Sequence, residues 1–163
     1  MGNNYFRVDD RLIHGQILAR WAGYLEVDNI IAIDDKTAKN PMLKSIMTMA
    51  VPKNFKPFIC TMEEGKAVIE ELEKTDDNNL IIVRFPYLLT ELCTENVKVD
   101  AVNIGNVSRK KGKAFEAASN IFLSESDFAA IEQLHQRGIA VSFKVVPDSA
   151  NMLWEEVRKK IIK

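Results

Sequence analysis

The sequence predicts an α/β fold, a single domain over residues 1–163 with an open, mainly parallel sheet of about seven strands and helices on both faces. Three observations carry that expectation. Short β-branched runs alternate with stretches of helical spacing, the signature of successive βαβ units. Leu80 to Val83 is apolar throughout, as a strand covered on both faces must be. Finally, 163 residues with 47% hydrophobic and 28% charged content suit one packed core, with no repeat, low-complexity tract or linker to divide it.

In chain order, a strand near Tyr5 to Val8 leads into a loop, Asp9 to His14, and a helix from about Gly15 to Tyr24 with an apolar stripe of Ile17, Leu18 and Trp21. A second strand, Asn29 to Ile33, ends in Asp34 and Asp35. A helix follows from about Asn40 to Ala50, stopped by Pro52. Met42, Met47 and Met49 on or near this helix read as gap-filling core. The strand Phe55 to Cys60 precedes a helix that Thr61 and Glu64 open as a capping box ahead of Ala67, Val68 and Leu72. Asp76 to Asn79 closes that helix, Leu80 to Val83 forms the next strand, and a short helix starts after Pro86. Val99 to Ile104 is the next strand, and the basic, glycine-bounded segment from Gly105 to Gly112 reads as a surface loop, either merely solvated or functional. Lys113 to Leu123 adds a strand, Glu125 to Gln136 a helix ended by Gly138, and Ile139 to Val146 a final strand before a helical tail from Ser149 to Lys163.

Charge and composition narrow the function. A net charge of −1 gives no broad basic face for nucleic acid, whose affinity rests on neutralised phosphates. The first residues carry charges where a signal peptide needs an apolar core, and no stretch approaches the ~20 apolar residues that span a bilayer, so a cytoplasmic protein without direct membrane insertion is expected. Cys60 and Cys93 lack metal-ligand spacing and read as reduced, buried thiols. No cofactor and no metal is expected, and no glycine-rich nucleotide loop is present.

In open α/β sheets, ligands bind beyond the carboxyl ends of the strands. Of the loops so placed, the one from Asp9 to His14 holds a histidine. His14 stands at the start of a helix, where amides and the helix dipole favour an anion, and neutral imidazole is a nucleophile. Arg11 offers a planar fork of donors to phosphoryl oxygens, and Asp9 or Asp10 orients the loop or the ring. Phosphoryl transfer asks mostly for positioning and charge stabilisation, which these groups supply. His135, late on a helix, reads as a surface residue, and Asp34 with Asp35 as a helix cap or solvated turn ahead of the alternative, a cation site.

The run FRVDDRLIHGQILARWAG resembles the opening signature of enzyme IIB in the mannose/fructose/sorbose family of bacterial phosphotransferase systems. NIIAIDD, KNPMLKSIMTMAVP, AVNIGNVSRKKGK and GIAVSFKVVPD follow in that family's order, so the likeness spans nearly the whole chain. It implies a phosphocarrier with a seven-stranded, largely parallel sheet. His14 would take a phosphoryl group from a phosphorylated IIA subunit and pass it to sugar bound by the membrane subunits IIC and IID. It also implies charge neutralisation by Arg11, loop shaping by Asp10, a partner-facing Gln16, and Asn103 and Gly105 in a loop near the site. Asn106 stands where related sequences often have glycine. The competing readings are a receiver-like signalling module phosphorylated on Asp34 or Asp35, and a non-catalytic relative that keeps the fold.

Overall fold

The computed structural model describes residues 2–109, 112, 114–144 and 146–161. A seven-stranded sheet in the order β3-β2-β4-β1-β5-β8-β9 forms its centre. The strands are β1 (Asn4–Val8), β2 (Asn29–Ile33), β3 (Lys56–Cys60), β4 (Asn79–Val83), β5 (Ala101–Ile104), β8 (Val141–Phe143) and β9 (Met152–Leu153). All neighbours pair in parallel except β8 and β9, which are antiparallel.

Period-two alternation sends each strand's side chains to two different cores. Phe6, Val8, Ile31, Ile33, Ile81, Val83, Val102 and Ile104 point to one face. There they are covered by α3 (Met62–Leu72), α4 (Leu89–Leu92), α5 (Glu125–Gln136) and α6 (Trp154–Ile161). Ile30, Ala32, Ile59, Leu80 and Ile82 point to the other face, beneath Ile17, Trp21 and Ala22 of a π-helix (Ile17–Ala22) and Met47 of α2 (Pro41–Ala50). The capping box expected at Thr61 is formed, and Ser124 with Asp127 makes a second one at the start of α5.

Four expectations need correction. Lys113 lies outside the described residues, and the rest of the span to Leu123 is a hairpin, not one strand. β6 (Phe115–Ala118) and β7 (Ile121–Leu123) pair antiparallel outside the main sheet, because Asn120 takes φ +64° and reverses the chain. The sheet still has seven strands because β9 takes that place, in a tail expected to be wholly helical, where α6 starts only at Trp154. Val145 within the expected last strand and Ile162 and Lys163 at the tail's end lie outside the described residues. The first helix opens in α geometry at Gly15 and Gln16, then widens into the π form and stops at Ala22. Met42 and Met49 are 71% and 80% exposed, and only Met47 of that helix packs inward.

Both cysteines are free and buried, and burial pushes Cys60 up to about 11 and Cys93 to about 12, far from thiolate reactivity. Among the described residues no helix is long and apolar enough to cross a membrane.

Candidate functional site

The connection from β1 runs towards β2 on one side of the sheet, while those from β4 and β5 run towards the other edge. The direction in which the chain steps across the sheet thus reverses at β1, and the loop following it lies between the loops that follow β4 and β5. That is the crevice in which such sheets bind ligands.

Asp9 prolongs β1, its N–H bonding the Val83 carbonyl at 2.9 Å, and it has no exposed surface. The chain then curls back. Leu12 N–H donates to the Asp9 carbonyl at 3.0 Å, and Leu12 itself takes φ +55°, a left-handed conformation that costs a branched residue about 1 kcal/mol. Full burial of the Leu12 side chain, with Ile13 beside it, offsets that strain and pins the loop to the core. The curl places His14 back over Asp9. Nε2 of His14 lies 3.2 Å from Asp9 Oδ2, with the histidine side chain 18% exposed.

Asp9 is the hub. Its two oxygens accept from Arg11 Nε and Nη2, each at 3.1 Å, and from the Arg11 backbone N–H at 3.1 Å; Arg7 Nη2 adds a contact at 3.4 Å. Burial pushes the Asp9 carboxyl upward, but the bonds from His14 and Arg11 and the nearby Arg7 charge outweigh it and hold the group at about 2. Asp9 is therefore an anion at any physiological pH.

A carboxylate only accepts, so the nitrogen facing it is the protonated one. In the neutral ring this contact favours the tautomer with the hydrogen on Nε2 and the lone pair on Nδ1. The first intrahelical bond runs from Leu18 N–H to the His14 carbonyl at 3.2 Å, so the amides of Gly15, Gln16 and Ile17 precede the ladder, the position at which helix amides serve anions.

Arg7 supports Asp9 from beneath. It is buried within β1 on the less covered face of the sheet, its guanidinium carbon 4.6 Å from the Trp21 ring centroid. Its Nη1 donates to Asn103 Oδ1 and, at 2.5 Å, to the Lys144 carbonyl. Burial draws Arg7 down to about 10 while Asp9 works against the shift, so it stays charged. A Cβ at Gly105 would press on the Arg7 guanidinium, which its bonds to Asn103 and the Lys144 carbonyl hold in place.

The expected site residues therefore fall into layers. His14 and Arg11 share Asp9, and Gln16 Oε1 accepts from Arg11 Nη2 at 3.2 Å. Asp10 does not hold the ring. Its side chain turns to the loop after β5, accepting from Asn106 Nδ2 at 2.7 Å and Ser108 N–H at 2.8 Å. Asn103 and Gly105 act through Arg7, with Asn103 Nδ2 also donating to Ser142 Oγ at 3.0 Å. Asn106 thus clasps Asp10.

Sequence reasoning left Arg7 out and, while counting the loop from Arg84 to Tyr87 among those beyond the strand ends, gave Arg84 no role. Arg84, at the end of β4, donates to the Asp10 carbonyl at 2.5 Å and pairs through Nε with Asp34 at 3.1 Å. Its position directly after a strand was the available signal, whereas a charged residue inside β1 gives none.

Asp34 caps α1 (Asp35–Ala38), accepting from Thr37 N–H at 3.2 Å, and Asp35 accepts from Met62 N–H at 2.7 Å. Both carboxylates are thus engaged in holding helix starts. Among the described residues no three of His, Cys, Asp and Glu gather as a metal would need. His135 is half-buried near the end of α5, remote in the chain from this loop.

The chain is 29% identical over 140 residues to the sorbose-specific EIIB component of Lacticaseibacillus casei, covering 86% of this chain and 85% of that one. It is 26% identical over 157 residues to the mannose-specific EIIAB component of Escherichia coli, which covers 96% of this chain but only 48% of the relative. The crystal structure of the IIBSor domain of the sorbose permease from Klebsiella pneumoniae shares the fold, with a TM-score of 0.89 over 98% of each chain at 21% identity. The family model for the PTS system sorbose subfamily IIB component matches residues 4–163, and the chain belongs to that family.

Proposed function

We propose that His14 accepts the phosphoryl group on Nδ1 and releases it from there to sugar. The observation that carries this reading is the 3.2 Å contact between His14 Nε2 and the buried, ionised Asp9. As a IIB component the chain is a phosphocarrier of a sugar phosphotransferase system. In this reading a phosphohistidine of the IIA subunit is the donor, sugar held by the membrane subunits IIC and IID is the acceptor, and the protein works in the cytoplasm.

In the first transfer the Nδ1 lone pair attacks phosphorus, the new N–P bond forms, and the donor's N–P bond breaks to release a neutral imidazole. The His14 ring, now bonded at Nδ1 and still protonated at Nε2, takes on positive character that the Asp9 carboxylate offsets. Asp9 also fixes the tautomer before the donor arrives, so no proton has to move. Arg11, 43% exposed and held by Asp9, lies beside the ring where its fork would meet phosphoryl oxygens. Gln16 steadies Arg11 and faces the partner, while Asp10 shapes the loop through Asn106 and Ser108. Asn103 and Gly105 hold Arg7 beneath Asp9.

The test is incubation with radiolabelled phosphoenolpyruvate, the general phosphotransfer proteins and a IIA subunit. The reading expects label that is lost in acid, kept in base and missing from His14→Ala. Base-labile label, or label retained by His14→Ala, would overturn it.

A further inference from the structure

Helix α2 carries its apolar stripe on the outside. Met42, Ile46 and Met49 stand at i, i+4 and i+7 on one side and are 71%, 58% and 80% exposed, while no residue of the helix is fully buried. A stripe of this kind on a monomer's surface marks a contact.

Its surroundings are basic. Residues 36–56 contain five lysines and no aspartate or glutamate, in a chain whose formal charge is −1. Lys36, Lys39, Lys44, Lys53 and Lys56 are all exposed, and among the described residues none forms a salt bridge. Of the carboxylates beside it, Asp35 accepts the Met62 N–H and Glu64 the Thr61 N–H, and the Lys44 charge helps to lower the Glu64 carboxyl. The lysines spread over α1, α2 and the approach to β3 instead of converging on one point. Spread charge beside a short apolar stripe suits a surface that presents many equivalent anions over a layer of hydrocarbon.

From this we propose that α2 is a docking face for anionic lipid, laying Met42, Ile46 and Met49 into the headgroup boundary while the flanking lysines meet lipid phosphates. The face reaches the phosphoryl site through structure. α1, immediately before α2, is tied through Asp34 and Arg84 to the Asp10 carbonyl in the His14 loop. A bilayer under α2 would hold that loop near the membrane, although the inference stands without any role for His14.

Cosedimentation with vesicles tests it, using phosphatidylcholine alone and phosphatidylcholine mixed with phosphatidylglycerol in equal parts. The expected result is binding to the mixed vesicles only, weakened by salt. It should fall about 10-fold or more in Met42→Ser/Ile46→Ser/Met49→Ser and in Lys39→Gln/Lys44→Gln/Lys53→Gln. Both variants change exposed side chains, and an unaltered thermal midpoint and unaltered labelling by phosphorylated IIA would show that they fold. His14→Ala should bind vesicles as the wild type does, which separates this inference from the phosphoryl assignment. No wild-type binding to the mixed vesicles, or equal binding by the variants, would overturn it. So would a serine variant that binds vesicles normally yet loses sugar phosphorylation with membrane subunits present, because that face would then dock protein.

Discussion

The two ends of the central strands make opposite use of buried polar side chains. At the amino end, Asn4, Asn79 and Asn29 stand in one register across β1, β4 and β2, each no more than 3% exposed. Asn79 Nδ2 donates to Asn4 Oδ1 at 2.9 Å, and Asn29 Nδ2 to Asn79 Oδ1 at 2.8 Å. The three amides are neutral, and the row ends on the Lys98 carbonyl, 3.0 Å from Asn4 Nδ2, and on the Asp77 carboxylate, 3.1 Å from Asn29 Nδ2. At the carboxyl end, Asp9 gathers two arginines and a histidine, the loop above it holds a residue at positive φ, and His14 reaches solvent. A closed row of amides locks strands in register. In the proposed reading, a charged cluster, strained and open on one side, holds the His14 ring ready for the phosphoryl group.

Substitutions at the two ends should therefore separate chemistry from stability. The largest effect belongs to Asp9→Asn. An amide can donate to the ring and invert its tautomer, so phosphoryl transfer should fall by about 10²- to 10³-fold, read as the initial rate of labelling by phosphorylated IIA. Arg11→Ala should slow the same rate by about 10- to 100-fold with a thermal midpoint close to wild type, because the side chain is largely outside the core. An unchanged rate would remove Arg11 from the transfer step.

Asn79→Ala is the converse case. It leaves the Asn4 and Asn29 amides short of partners in the interior and should cost about 2 kcal/mol in urea denaturation, with the transfer rate per folded molecule unaltered. The subtlest difference lies in acid. The Asp9 carboxyl falls from 3.8 to about 2 on folding, so the stability it adds is complete above the higher value and vanishes as pH drops through the lower one. That contribution is about 2 kcal/mol, and it should be missing from the acid limb of Asp9→Asn but retained in Asn79→Ala.

The same contrast explains what could be read from the sequence. Strand and helix order was legible because β-branched runs and capping residues are local signals, as at Leu80 to Val83 and Thr61 with Glu64. The hairpin at 115–123 was not, because a two-residue Ser119–Asn120 turn inside an apolar run shows only once the backbone reverses. His14, Arg11 and the loop that holds them were legible from the helix start and the family likeness. Which of two adjacent aspartates meets the ring was not. Asp9 and Asp10 are chemically identical, and the positive φ at Leu12 folds the loop over the first while the second turns towards Asn106. The outward stripe on α2 escaped for a related reason: spacing marks an apolar face without saying which way it points.

Nitrogen-15 NMR of the histidine side chains, before and after phosphorylation, bears most directly on the claim that Asp9 prepares His14. The account predicts a free protein with the His14 proton on Nε2 and Nδ1 unprotonated, a phosphorylated protein with phosphorus on Nδ1, and loss of that tautomer preference in Asp9→Asn. Phosphorus on Nε2, or a free protein with its proton on Nδ1, would contradict it.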